Sequence, residues 1–370
     1  MTHADPSTRR SRRLVIQVLL FLVGLALLAW CIRTALRPEN QEHIDRLRNA
    51  PLDLVLALVG LSITTLFLNA CTFWTAIRPI RPVPFWDIQA TNAAAALGNY
   101  APAKLGAVLR FIVHNRRNHV PLMTITAWIG AVSITMTAAL FPLIAAGMWR
   151  KAFDWQFVGA LLAGLLFTYS TTLLLARTFA HAKGLTRLHA MTRPLRFKLL
   201  DRFMHSAAFH NLHAGLAMLA HPVSLAGGIV LRVADLLVQA VRFMVAARLL
   251  GLELGFEGAL IVSGAYFLVT VFSPAGSLGI REWVTAQIAL FGISNQTMTV
   301  MALTVTMSEM LVYIVFGSIG LMYVRPDKFF DRRPRPEIAQ QEPPVSTLKN
   351  ASMSCSVPKS PSPLKSDPPA

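Results

Sequence analysis

Charge is scarce in this chain. Of its 370 residues only 14% are Asp, Glu, Lys or Arg, against 54% hydrophobic, and the mean hydropathy is +0.51. Those values exclude an ordinary soluble domain, in which about a quarter of residues are charged. Acidic side chains are scarcer still, 18 against 35 Lys and Arg, leaving a net charge of +17. Cysteine is rarer again: Cys31 and Cys71 fall in apolar runs and Cys355 in a polar stretch, with no C-x-x-C pair and no disulfide framework. Patterns for catalysis are missing as well. There is no P-loop, no G-x-S-x-G, no H-E-x-x-H and no Ser/His/Asp set on one membrane face, so neither an enzyme nor a cofactor is expected.

What the chain does have is length of apolar run. Several stretches reach 18 residues or more, enough to cross a bilayer. In lipid every backbone N–H and C=O must be paired within the segment, and the period-two alternation of a β-barrel is absent. The fold class expected is all-α: a polytopic integral membrane protein. Its Lys and Arg cluster at the N-terminus, between Arg177 and Arg202, and after Arg325, as the positive-inside rule requires of cytoplasmic segments. These clusters suit anionic lipid headgroups and lack the folded basic surface that nucleic acid would need.

The organisation follows from those runs. Residues 1–13 form a basic cytoplasmic N-terminus, 14–324 a helical membrane domain, and 325–370 a disordered Pro-rich cytoplasmic tail. Arg12-Arg13-Leu14-Val15 and Leu28-Ala29-Trp30-Cys31 faintly resemble export signals. Trp30 stands where a small residue belongs, so Leu14–Ile32 predicts an uncleaved span with its N-terminus inside. A mixed-charge loop, 33–51, leads to a span at Leu52–Ile77. Residues 86–98 are too short to cross alone, and with a second short helix ending near Ile112 they predict a re-entrant hairpin. Spans follow at 121–148, 155–176, 223–250, 259–272 and 297–324, with a second short helix at 280–291. About eight membrane segments result, in pseudo-symmetric halves (14–176 and 203–324) joined by the basic cytoplasmic loop 177–202. The stretch 203–221 carries His205, His210, His213 and His221. His205 and His210 lie about 140° apart on a helix, which favours interfacial histidines over a metal site.

Two breaks interrupt the apolar pattern in similar words: Tyr100-Ala-Pro-Ala-Lys-Leu-Gly106 and Phe272-Ser-Pro-Ala-Gly-Ser-Leu-Gly279. Matching interruptions in the two halves of a membrane protein point to a substrate site. Pro102 and Pro274 suit the first turn of a half-helix, whose free N–H groups and positive dipole end would receive a phosphate. Lys104, Arg110 and Arg281 would add charge, and Glu282 would meet an ammonium group or pair with an Arg. Within the 223–250 run Arg232, Asp235, Gln239 and Arg242 fall at about 0°, −60°, −20° and −80°, a single quadrant. They read either as a structural Arg–Asp pair or as the wall of a polar cavity. Glu309 shares a face with Thr306 and Tyr313, to be met by an Arg or by a cationic headgroup or proton. Asn92 and Asn99 share a face whose alanines, 93–96, suit close helix packing.

Ser273-Pro-Ala-Gly-Ser-Leu-Gly-Ile-Arg-Glu282 followed by Phe291-Gly-Ile-Ser294 resembles a signature of the lysylphosphatidylglycerol synthase transmembrane-region family. Asn99-Tyr-Ala-Pro-Ala-Lys-Leu-Gly106 with Arg110 is similar to that family's other motif. The resemblance covers roughly 50–325 and implies a flippase-like fold with paired re-entrant helices. Its matching positions are Pro102, Lys104, Gly106, Arg110, Gly276, Gly279, Arg281 and Glu282. Ser277 stands where the family usually has Gly. The resemblance implies a large soluble aminoacyltransferase domain in full-length synthases of the family; none is expected after Arg325, so synthase activity is not carried over. The function expected is binding and translocation of a lipid or lipid-linked anionic headgroup in a bacterial inner membrane, with Arg232, Asp235, Arg242 and Glu309 lining its path. Alternatives are an accessory subunit of a glycosyltransferase or envelope-biosynthesis enzyme, and an intramembrane lipid transferase using Asp235, Glu282 or Glu309 as base.

Overall fold

In the computed structural model the described residues are 6–101, 105–150, 153–180, 184, 186–187, 209, 213, 215–272, 278–288 and 293–325. Side chains are described from residue 18 on, apart from those of residues 20, 271 and 272. Among the described residues there is no strand. The helices are α1 (Pro6–Ala35), α2 (Gln41–Arg48), α3 (Leu52–Ile77), α4 (Phe85–Gly98), α5 (Leu105–Arg116), α6 (Leu122–Arg150) and α7 (Trp155–Phe179). They continue with α8 (Leu216–Ala220), α9 (Pro222–Leu249), α10 (Phe256–Phe272), α11 (Ile280–Ala286) and α12 (Asn295–Val324).

Four of these, α3, α6, α7 and α12, are long and apolar enough to cross a membrane, and five if the bent pair 21–35 with 38–48 counts as one. The expected eight segments are thus not all of spanning type. Helix α9 has the length of a span, but the four polar residues of its stripe set it apart from the apolar helices. Helix α7 shows the opposite extreme: none of its most apolar window is buried, and Leu166 and Phe167 are exposed. A greasy face of that extent is stable against acyl chains and not against water.

Local chemistry accounts for several boundaries. Pro142 lies inside α6, where it cannot donate to the carbonyl of Ala138. The Thr168 hydroxyl of α7 donates to that carbonyl at 2.8 Å, satisfying a group that lipid would leave orphaned. Gly164 faces the Pro142 ring, so α6 and α7 lie close at the same level. The region 33–51, expected to be a loop, contains α2 instead, with an exposed Glu42–Arg46 pair at 2.7 Å along its surface. The second short helix ends at Ala286 rather than Phe291, and the first of the pair that follows residue 104 runs on to Arg116.

Helices α4 and α5 fold back on each other. Gly98 and Gly106 meet at the crossing, where a Cβ on Gly106 would lie 2.0 Å from the Ala95 carbonyl oxygen. The two far ends also meet: Arg117 pairs with Asp87 at 2.9 Å, Asn118 donates to Asp87 at 2.8 Å, and the Tyr323 hydroxyl donates to it at 3.2 Å. The hairpin therefore returns to the end of the molecule where it began, beside the C-terminal end of α12. Gly317 and Gly320 of α12 seat α4 against them, with Ala90 and Ala93 backbone oxygens at 2.4 and 3.0 Å from the positions of added Cβ atoms. The alanine run of α4 thus serves the close packing read from the sequence. The two sequence halves interleave, α3 along α9 and α4 along α12.

That seam makes a clean contrast. Gly320→Ala should lower the melting temperature of the detergent-solubilised protein, at a cost of about 1–3 kcal/mol for overpacking. Gly130→Ala, at a helical site where a Cβ meets nothing within 4 Å, should leave it unchanged or raise it.

Candidate functional site

Buried charge must be paired or it is costly to keep, and this protein buries it on purpose. Along α9, Arg232, Asp235, Gln239 and Arg242 are all buried on one side, as the helical arithmetic predicts. Arg232 donates to Asp235 at 2.9 Å, one turn on, and to Asn69 of α3 at 2.6 Å. Arg242 donates to Gln239 at 2.8 Å and to Glu309 of α12 at 2.7 Å. The other carboxylate oxygen of Glu309 meets Arg281 of α11 at 2.8 Å and accepts from the Tyr266 hydroxyl of α10 at 3.1 Å. Glu309 is therefore met by arginines, one of the two readings its sequence position allowed.

The second break ends in the same network. Arg281 donates through Nε to Glu282 at 2.8 Å. Glu282 also accepts from Thr306 at 2.6 Å and from the Gly279 backbone N–H at 2.6 Å. The short helix starts at Ile280, as expected, and its N-cap amide, that of Gly279, is occupied by the helix's own N3 glutamate, the reach-back bond of a capping box. The half-helix start expected at Pro274 lies outside the described residues. Gly279 holds φ of +80°, which favours glycine, and a Cβ there would lie 1.9 Å from the Gly24 carbonyl oxygen of α1. Helix α1 thereby packs against Gly279, the last residue of the second break.

The two breaks are joined. Arg281 donates to the hydroxyl of Tyr100, next to the first break, at 3.1 Å, and its guanidinium lies over the Tyr266 ring, 4.4 Å from the centroid. Both side chains border a cavity of about 160 Å³, room for several waters or a small headgroup. Of the residues expected to bind substrate, Arg110, Arg232, Asp235, Arg281 and Glu309 line it, together with Asn99, Gln239 and Tyr313, which the sequence also singled out. Arg242 and Glu282 stand behind that wall as ion-pair partners. Gly106 and Gly279 act through the backbone, where α5 meets α4 and α11 meets α1. Pro102, Lys104 and Gly276, with Pro274 and Ser277, lie outside the described residues, while their neighbours Tyr100 and Thr270 both line the cavity.

Arg110 differs from the other three arginines. It donates to the Asn92 side-chain oxygen and stacks on Phe73 with 4.1 Å to the ring centroid, and among the described residues no carboxylate pairs with it. Asn92 also accepts from Asn69 at 2.8 Å, so a chain of amides runs from Arg110 to Arg232. Asn69, Tyr100 and Tyr266 were not picked out from the sequence, and Asn92 was read as packing. An Asn inside an apolar run, as Asn69 is, was the available signal. The histidines hold no metal-like cluster among the described residues: His221 caps α9, and His213 bonds the Phe179 carbonyl at 2.6 Å. His205 and His210 lie outside the described residues.

Comparison with known proteins gives one match. Residues 14–317 fit the family described as Lysylphosphatidylglycerol synthase TM region, and the chain belongs to that family. No curated protein and no solved structure matches the chain. Membership carries a membrane-lipid context and a multi-pass membrane architecture.

The bridge at Glu309 sets a stability expectation. Glu309→Ala leaves Arg242 and Arg281 buried without their shared carboxylate and should cost about 3–5 kcal/mol. Arg110→Gln, which removes a cation held by a neutral amide and a ring face, with no carboxylate among the described residues, should cost about 1 kcal/mol or less. Thermal unfolding of the two variants in detergent checks the order.

Proposed function

We propose that this lysylphosphatidylglycerol synthase transmembrane-region protein binds the phosphate-bearing headgroup of a membrane lipid in its central cavity and moves that lipid between leaflets, as a flippase does. The observation that carries the reading is convergence. Tyr100 from the first break, Arg281 from the second, and Arg110 and Arg232 from two other helices border one polar cavity inside a protein whose outer faces are apolar. Three guanidiniums at one cavity wall favour an anion, and a cavity within a membrane protein is where ionisable groups serve a substrate path. The acyl chains would remain in the bilayer while the headgroup enters.

The phosphate is assigned to Arg110 and Arg232 rather than to a half-helix N-terminus. Arg281 already spends its donors on Glu282, Glu309 and Tyr100, and the Gly279 amide on Glu282. The same pairing argues against catalysis: Glu282 and Glu309 are tied to arginines and make poor general bases. Orientation follows the positive-inside rule. The clusters at 1–13, 177–202 and beyond Arg325 assign both termini to the cytoplasmic side of a bacterial inner membrane. The accessory-subunit alternative relies on 177–202 and the tail, most of which lies outside the described residues.

Reconstitution into vesicles with a fluorescent phospholipid tests the reading. The unaltered chain should speed exchange between leaflets, and Arg110→Gln should slow it by roughly tenfold or more, the value of a hydrogen bond to a charged group. Exchange no faster than in empty vesicles, or a variant as fast as the unaltered chain, refutes it.

A further inference from the structure

We infer that Asn92 and Asn69 are positioning residues for the phosphate site, a relay of two neutral amides that aims Arg110 and Arg232 at one cavity and leaves the charge of Arg110 uncancelled. This rests on the lipid-site reading above and adds to it the residues that govern how the site holds its anion.

Two arginine pairs in this network are bridged, and in different ways. Arg242 and Arg281 share the carboxylate of Glu309, which accepts from both and cancels charge. Arg110 and Arg232 are joined instead through Asn92 and Asn69. Arg232 has Asp235 as its counter-ion at 2.9 Å, whereas Arg110 has no carboxylate among the described residues and lies against the face of Phe73. A buried cation without a counter-ion is costly to keep. Such a cation is warranted where an anion is to be received, and Arg110 borders the cavity.

The direction of the relay is forced from both ends. A backbone carbonyl only accepts, so the Asn92 atom that faces the Leu66 carbonyl at 3.0 Å is the amide nitrogen. The Asn92 oxygen is thereby turned to Arg110 and to the Asn69 nitrogen, 2.8 Å away. A guanidinium only donates, so Asn69 meets Arg232 with its oxygen, at 2.6 Å, and its nitrogen is left to donate to Asn92. A carboxylate at position 92 would accept from Arg110 but has no proton for the Leu66 carbonyl, and it would cancel the charge. An aliphatic group there would offer no acceptor. The amide alone gives direction without charge. Asn92 is fully buried and does not border the cavity, so it acts on a ligand only through Arg110. Because Asn92, Arg110, Asn69 and Arg232 lie on α4, α5, α3 and α9, the relay also fixes the second arm of the hairpin relative to α9.

The test is the vesicle exchange assay with a fluorescent phospholipid, run on the full chain beside thermal unfolding in detergent. Asn92→Asp should slow exchange by about tenfold or more, as loss of a charged hydrogen bond does. Its melting temperature should stay level, the new ion pair with Arg110 offsetting the bond lost at Leu66. Asn92→Ala keeps the charge but not the aim, and should slow exchange only about threefold while lowering the melting temperature. Added to Arg110→Gln, Asn92→Ala should slow exchange no further, since both act through one guanidinium. The relay is overturned, with the lipid site left standing, by Asn92→Asp as fast as the unaltered chain, by Asn92→Ala as slow as Asn92→Asp, or by losses that multiply in the double variant. Should Asn92→Asp fail to fold, the comparison of Asn92→Ala with and without Arg110→Gln decides alone. If the unaltered chain exchanges lipid no faster than empty vesicles, or Arg110→Gln leaves its rate unchanged, the lipid-site reading falls and the relay with it.

Discussion

A single carboxylate held between two arginines organises this membrane protein. Glu309 meets Arg242 on one oxygen and Arg281 on the other, and through them it ties α12 to α9 and to α11. In an apolar interior such a bridge is not a cheap source of stability, because stripping water from each ion costs several kcal/mol before any attraction is counted. Its value lies in register. Only one rotation and one depth of α9 against α12 bring Arg242 to Glu309 while Ser62 of α3 still reaches Ser308 at 3.1 Å. Glu282 extends the bridge to the turn before α11, fixing the Gly279 amide, and so the second break is held by the same chain of charges.

Close backbone packing is the complement of that constraint. Charged side chains can meet in the middle of the bundle because glycine and alanine let the helices approach elsewhere. Gly317 and Gly320 seat α4, Gly106 seats α5 on α4, and Gly279 admits the carbonyl of Gly24. Without such contacts helices of apolar composition have little reason to prefer each other over lipid. The cavity lies among side chains of α3, α5, α9, α10, α11 and α12, with Tyr100 from just past the end of α4. Its wall is polar because backbone and side chains there cannot be left to face hydrocarbon.

Much of this was legible in the sequence wherever the governing physics is local. The span Leu52–Ile77 is α3 to the residue, and the short run 86–98 is α4 within one residue, because apolar length and flanking Pro and Arg set both ends. The polar quadrant of α9 needed only the 100° step of a helix. Glu282 pairs with an Arg, one of its two expected readings, but its role as the cap of α11 was not read, because Gly279 has no side chain to complete the usual Ser/Thr-x-x-Glu signature. By contrast, the bond from Arg281 to Tyr100 joins residues 181 apart, and the amide chain from Arg110 to Arg232 links four helices. Nothing in a linear pattern specifies which polar residue crosses which gap. The helix inside 33–51 was missed for another reason: it is eight residues long with only Ile44 and Leu47 apolar, a pair too few for periodicity to register, although Leu47 packs against the core.

The same distinction bears on how the cavity could open. Rigid rocking of one sequence half against the other would have to separate α4 from α12 and α3 from α9. The α4–α12 seam is set by backbone contacts at Gly317 and Gly320 and by the Asp87 cluster, and the α3–α9 seam by Ser224 and Arg232 of α9, which donate to the Thr75 carbonyl and to Asn69. Across the cavity, the described link between the breaks is the bond from Arg281 to Tyr100, at 3.1 Å, with Tyr100 also packed on Tyr313. One hydrogen bond to a charged group is worth about 1.5–3 kcal/mol. In the lipid carrier proposed above, opening would therefore cost least between Tyr100 and Arg281, and the two interleaved halves would stay together while it happens.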